Sequence, residues 1–308
     1  MVETESVLVF NPRSGKWREE IPYKDITQLW PTSIAMISIL HLSDHPEMVK
    51  DKKLIGWGGD GTHGYLANLA RRQNCDWYMP LDQGSIGDIP KSFGWRKETH
   101  ESDTEYIART AEKVRQGVDV IEISPGSMIA GKNEWDFLWT AGAGAAAELL
   151  SGIETARSWG WRQLPRNIYG ITEFIKATQK SSLDINFPDG QNSRAIDVNI
   201  INWPFARFGS LTLPTNEGVV WWIEKANENE VWRKSIRIAL DVMMMKAGKP
   251  PVYDGITFRS ISQGESVRVK GNVLKTQVDS EIVPVNEKEI YFGVAEKDSL
   301  RYRIATNR

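Results

Sequence analysis

Two domains of different class are predicted: an α/β domain built on a parallel sheet, then an antiparallel β-sandwich with helical inserts. Three observations predict this. Short apolar strands alternate with helix-period segments up to about residue 123. Two polar, glycine-containing turns in that region each follow an apolar strand. Beyond Ser124-Pro125-Gly126 the apolar runs become strand-like and are separated by Gly, Asn, Pro and Asp. At 308 residues the chain can bury two separate cores. The expected boundaries are 1–124 for the first domain and 125–289 for the second. The first domain is therefore expected to be Rossmann-like.

In order, Val7-Leu8-Val9-Phe10 reads as a strand, and 34–42 is apolar and fits either strand or helix. A strand is expected at 54–57 and a helix at 64–72. A further strand follows at 77–81. A helix is expected at 104–115, with Tyr106, Ile107, Ala111 and Val114 at helical spacing. After the strand-like run 118–123, strands are expected at 137–139, 183–187, 195–201, 218–224, 266–270 and 275–278. Helical inserts are expected near 145–179 and 228–247. The last strands are expected at 290–294 and 300–304.

Hydrophobic residues at 41% and charged residues at 25% are ordinary for a globular protein. The formal net charge of -2 gives no nucleic-acid footprint, so affinity for an anionic surface has to come from a local patch. A single cysteine, Cys75, permits no internal disulfide and suits a reducing compartment. The acidic start is unlike a signal peptide, and no apolar run reaches transmembrane length. Tryptophan is frequent, with 13 residues, and most are expected in the core. The segment Ser158-Trp159-Gly160-Trp161-Arg162, with Arg157 before it, mixes Trp and Arg as membrane-surface segments do.

Chemistry concentrates in four stretches. Gly58-Gly59-Asp60-Gly61-Thr62 joins a strand to a helix, and its glycines are expected to allow positive φ and a close backbone approach to phosphate at a helix N-terminus. Asn11-Pro12-Arg13-Ser14-Gly15-Lys16 offers two cations after the first strand. The third stretch is Gly84-Ser85-Ile86-Gly87-Asp88. In the fourth, Val278-Asp279-Ser280-Glu281, strand alternation is expected to put both carboxylates on one face. The Walker spacing with its Gly-Lys-Ser/Thr ending is absent.

The NPxSGK and GGDGT turns together resemble the diacylglycerol kinase catalytic-domain family, which includes bacterial lipid kinases and sphingosine kinases. The resemblance implies ATP and Mg²⁺, with a lipid hydroxyl as phosphoryl acceptor, and it implies that the last strands, 290–294 and 300–304, return so that 290–308 joins the first domain. It implies nucleotide contacts at Asn11, Arg13, Ser14, Gly15, Lys16, Gly58, Gly59, Gly61, Thr62, Gly84 and Ser85. It places Mg²⁺ near Asp60, Asp88 and Asp279, with a further structural site at Glu217. Glu281 matches the general base of the bacterial enzymes and Asp60 that of the sphingosine kinases, and both assignments stay open. Tyr65, Ile86, Gly87 and Ala146 depart from the family pattern, and at Ala146 an acidic residue is expected. The acceptor pocket is expected beside the helical inserts, where 231–245 carries Met243, Met244 and Met245 suited to an acyl slot. The implied setting is cytoplasmic, peripheral to the inner face of the membrane. A kinase of a soluble acceptor such as NAD and a catalytically degenerate lipid-binding relative are the alternatives. Whether the chain forms a homodimer is left open.

Overall fold

The computed structural model describes residues 5–12, 28–30, 34–83, 88–98, 100–161, 163–202, 207–208, 211–212, 218–225, 256–271, 275–296 and 300–307. The chain divides into two compact units, Met1–Ile123 with Leu300–Arg308, and Ser124–Ser299. The helix expected at 228–247, with its methionines, lies outside the described residues.

The first unit begins with strand β1 (Ser6–Phe10), then β2 (Ile34–Ser38) running into helix α1 (Ile39–Asp44). The ambiguous run is thus both elements, divided at Ser38, whose hydroxyl accepts the His41 N–H at 3.2 Å and caps the helix. Strand β3 (Lys53–Gly58) feeds α2 (Asp60–Arg72), and β4 (Trp77–Asp82) precedes the short α3 (Asp88–Ser92). Helix α4 (Asp103–Gln116) opens with a capping box between Ser102 and Glu105 and stops at Gly117, whose φ of 99° a side chain would resist. Strand β5 (Asp119–Ile123) closes the segment.

These strands form one six-stranded sheet in the order β2-β1-β3-β4, then the C-terminal strand Tyr302–Thr306, then β5. All neighbours through the C-terminal strand are parallel, and only β5 is antiparallel. β1 is buried throughout and β3 nearly so, as expected of parallel strands covered on both faces. Helix α2 buries Leu66, Ala67, Leu69 and Ala70 on one side of this sheet.

The second unit is an antiparallel sandwich. Its strands are β6 (Gly126–Ala130), β7 (Asn133–Phe137), β8 (Thr140–Gly144), β9 (Leu183–Asn186) and β10 (Asn192–Ile201). After the ribbon β11 (Arg207–Phe208) and β12 (Leu211–Thr212) come β13 (Gly218–Glu224), β14 (Ile256–Ile261), β15 (Ser266–Gly271), β16 (Thr276–Val278), β17 (Glu281–Val283) and β18 (Glu289–Val294). Helices α5 (Ala145–Ser158) and α6 (Gln163–Lys180) lie between β8 and β9.

The long strand β10 belongs to both layers. Its first half pairs with β9, which continues through β15, β18, β6 and β7; its second half pairs with β8, and β13 lies along its other edge. Between the layers sit Met128, Phe137, Ile185, Val198, Trp222 and Phe292 among others. A second core, including Phe174, Ile201, Trp221 and Ile223, fills the opposite face of β10 and β13. Successive residues of β13 therefore serve two cores, which is why Gly218 to Ile223 is buried without alternation.

Of the two strands expected to return to the first domain, Tyr302–Thr306 does so. Glu289–Val294 instead pairs with β15 and β6, burying Ile290, Phe292 and Val294 in the sandwich core. The run 137–139 also differs from expectation: the strand ends at Phe137, and Leu138 and Trp139 form a bend.

Candidate active site

The first residue after β1 is tied to the end of β3 and to the first turn of α2. The Asn11 backbone N–H donates to the Trp57 carbonyl at 3.2 Å, and its side-chain Nδ2 donates to Thr62 Oγ1 at 2.8 Å. Gln83 N–H donates to the Gly58 carbonyl at 3.2 Å, which brings the end of β4 to the same rim. In the order β2-β1-β3-β4 the winding reverses between β1 and β3, and the carboxyl ends of the strands at such a point leave a crevice for ligands. Helix α2 starts there, so its positive N-terminal end faces the rim.

The glycines act differently from expectation. Gly59 takes φ -91° and ψ 177°, and none of Gly58, Gly59 and Gly61 adopts positive φ. At Gly58 the requirement is space: a Cβ there would lie 2.6 Å from Thr62 Cγ2, well inside contact distance. The glycine lets the Thr62 side chain fold back against the strand end, where its hydroxyl meets Asn11.

Asp60 Oδ1 accepts the Ile89 N–H at 3.0 Å, tying the first turn of α2 to α3, which Asp88 opens. Behind it lies a buried pair, His63 Nδ1 and the Tyr78 hydroxyl, 2.6 Å apart. Burial holds His63 down to about 3 against the opposing pull of the Gly58 and Leu81 carbonyls, so the ring is neutral at physiological pH. Burial, and then the charge of Asp60, raises Tyr78 well above the usual phenol range. His63 is thus a support beneath the glycine turn. Arg13, Ser14, Gly15, Lys16, Gly84, Ser85 and Glu217 lie outside the described residues.

In the second unit Asp279 and Glu281 do not alternate along one strand. Asp279 and Ser280, with φ of 45° and 69°, are the two-residue tip of the hairpin β16–β17, whose flanking pair is Val278 with Glu281. Positive φ at both tip positions is the turn that matches strand twist, and Asp tolerates it. The Asp279 carboxylate accepts the N–H groups of Leu138 at 2.9 Å, Trp139 at 2.8 Å and Thr140 at 3.0 Å. Burial raises its pKa to about 6 against those three bonds. This carboxylate organises the 138–140 bend, and its lone pairs are largely occupied by backbone donors rather than directed at a metal. Glu281 keeps an exposed surface, but partial desolvation and then the Glu154 carboxylate hold its proton affinity up.

A row of buried polar side chains escaped the sequence reading. Asp197 and Asn199 of β10 and Gln277 of β16 flank β8 on one face. Asp197 Oδ1 accepts the Ala146 N–H at 2.7 Å, Asn199 Nδ2 donates to Asp197 Oδ2 at 2.6 Å, and Gln277 Nε2 donates to Asn199 Oδ1 at 2.8 Å. Gly142 is paired with both Asn199 and Gln277 in register, and a Cβ on it would overlap the Asn199 carboxamide. The bridge across β8 exists because that residue has no side chain. The sequence has no acidic side chain at Ala146, yet a carboxylate, that of Asp197 on β10, accepts the N–H of Ala146 at the start of α5. A glycine inside a strand was the available signal.

Among the described residues, no group of three or more His, Cys, Asp or Glu side chains is placed to hold a metal ion.

No family model and no curated protein sequence matches the chain. Solved structures do. A candidate diacylglycerol kinase from Bacillus anthracis str. Sterne superposes with a TM-score of 0.59 at 14% identity, covering 99% of this chain and 97% of its own. A diacylglycerol kinase structure from the same organism gives 0.51 at 12% identity over 94% and 93%. An NAD kinase from Archaeoglobus fulgidus in complex with ATP gives 0.53 at 13% identity over 98% and 93%. At these identities the likeness is one of fold, and it extends over nearly the whole chain.

Proposed function

We propose that the chain is an ATP-dependent lipid kinase, transferring the γ-phosphate to the hydroxyl of a diacylglycerol-like or sphingoid acceptor at the inner face of a membrane. The observation that carries this reading is the Asn11–Thr62 hydrogen bond at 2.8 Å, which ties the first residue of NPxSGK to the last of GGDGT at the switch point of the parallel sheet. The shared fold supports it, since the similar structures are diacylglycerol kinases and an NAD kinase holding ATP.

Phosphoryl transfer requires mainly positioning and charge neutralisation, because negative charge spreads over the transferred group. Asn11, Thr62 and the backbone N–H groups at Gly58, Gly59 and Gly61 hold the phosphates. Arg13, Ser14, Gly15 and Lys16 extend the first turn, and Gly84 and Ser85 contribute from the third. Asp60 and Asp88 are the carboxylates that would hold Mg²⁺, which would supply charge neutralisation there. Glu281, with its raised proton affinity, takes the proton of the acceptor hydroxyl; Asp60 is the other candidate for that step.

A soluble acceptor such as NAD is the second reading, favoured by the likeness to the NAD kinase. Incubation with labelled ATP, Mg²⁺ and mixed lipid extract separates the two. A labelled lipid is expected; a labelled soluble product supports the second reading, and no labelled product leaves a lipid-binding relative without catalysis. Asp60→Ala and Glu281→Gln should each abolish turnover with the fold intact, and full activity in either removes its assigned role.

A further inference from the structure

At the turn between α5 and α6 the structure exposes apolar surface that neither core uses. Trp159, Trp161 and Ile168 are 54%, 43% and 56% exposed. The rings are not independent. Trp159 lies 5.4 Å from Trp161 and 5.3 Å from Tyr169, centroid to centroid, and Trp161 lies 5.9 Å from Tyr169, all edge to face.

The backbone beneath them is equally defined. Gly160 has φ 76°, its N–H donates to the Arg157 carbonyl at 2.9 Å, and the Trp161 N–H donates to the Ala156 carbonyl at 3.1 Å. That pair of bonds around a left-handed glycine is a Schellman ending for α5, and it places both tryptophans against Tyr169 of the next helix. The result is a fixed apolar plate, whereas scattered surface tryptophans would swing freely. A contiguous exposed patch of this kind marks a contact surface.

The charge around the plate selects the occupant. From residue 154 to residue 176 the sequence carries Arg157, Arg162, Arg166 and Lys176 against Glu154 and Glu173, an excess of two positive charges, with Arg162 outside the described residues. Arg157 is shared with Glu154 at 2.9 Å, so the positive character is moderate. Indole and phenol rings with a polar edge, flanked by arginine, match the zone where acyl chains meet anionic headgroups. Among the described residues no helix is long and apolar enough to cross a membrane, so contact here is at the surface.

We infer that Trp159, Trp161 and Ile168 form a shallow insertion plate that docks the second unit on an anionic bilayer. This deepens the lipid-acceptor reading and rests on it for its purpose, but it is measured without catalysis. Full-length protein is sedimented with vesicles of phosphatidylcholine and phosphatidylglycerol in equal parts, and with phosphatidylcholine alone. Binding to the mixed vesicles is expected, weaker on the neutral ones and in high salt. The variant carrying Trp159→Ser, Trp161→Ser and Ile168→Ser should lose about tenfold or more in partitioning, with unchanged circular dichroism and Tm. Acyl-brominated lipid should quench tryptophan fluorescence in the parent and leave the variant nearly unaffected.

Three results would overturn the inference: no binding by the parent, equal binding by the variant, or self-association through the plate that the variant abolishes while vesicle binding is absent. The kinase assay in detergent-dispersed lipid keeps the two readings apart. Labelled lipid without vesicle binding sinks the plate alone; vesicle binding without labelled product sinks the kinase and leaves the plate standing.

Discussion

Replacing Asp197 by asparagine should remove a pH dependence from the stability of the second unit. The carboxyl is fully buried, and burial lifts its pKa from 3.8 to about 7 despite the bonds from Ala146 and Asn199. Between those values the folded chain holds a proton that the unfolded chain releases. The stability Asp197 contributes is therefore complete below 3.8 and is lost as pH rises through about 7. Three pH units at 1.36 kcal/mol each make the total roughly 4 kcal/mol, falling by about 1.4 kcal/mol per unit across the window.

Asparagine is neutral at every pH and keeps the bond from the Ala146 N–H. Its amide would face the Asn199 amide, so Asn199 and then Gln277 must turn over to preserve the row. Near pH 4.5 the variant should therefore match the parent or lose about 1 kcal/mol. Its stability relative to the parent should then rise by about 1.4 kcal/mol per unit to pH 6.5 and level off above 7. Urea unfolding of the second unit from pH 4.5 to 8 reads this directly. Asp279 is present in both proteins and cancels. A stability difference that stays constant across the range would refute the buried-carboxyl argument.

The opposite sign applies to His63. Its folded pKa is depressed to about 3, so its contribution is present above 6.5 and is lost as pH falls. His63→Gln should flatten the acid-side loss of the first unit, and an unchanged acid profile would exclude this cause. Asp279→Ala strands one buried and two part-buried amides and should lower second-unit stability by roughly 2–3 kcal/mol; a change within experimental error in chemical denaturation would contradict it. Asn11→Ala should cost about 1 kcal/mol of stability and weaken ATP binding several-fold by calorimetry, since it separates the two turns. Gly58→Ala, which drives a methyl into Thr62, should destabilise by about 1–3 kcal/mol and impair ATP binding; wild-type behaviour in both would show that the turn can yield.

The first unit was legible because its signals are local. Val7 to Phe10 and Leu54 to Trp57 are apolar runs that end in polar glycine turns, and the periodicity of α2 and α4 is carried within each helix. The assignment of the carboxylates was less legible. Asp279 looked like a strand residue because its neighbours alternate, and only the pairing of Val278 with Glu281 turns Asp279-Ser280 into a hairpin tip. Likewise Ile290 to Val294 reads as a strand whichever sheet it joins, and its edge partners, β15 and β6, chose the sandwich.

By itself the sequence determined the class of each domain, the positions of most strands and helices, and the two turns on which the proposed chemistry rests, because propensity, periodicity and turn composition act over a few residues. Tertiary structure alone decided that Asn11 meets Thr62, that Asp197 binds the Ala146 amide at the end of a polar row crossing Gly142, and that the α5 ending fuses three aromatic rings into one surface. Those outcomes depend on register between segments tens of residues apart, and register is set by which buried faces fit together, a property no short stretch of chain carries.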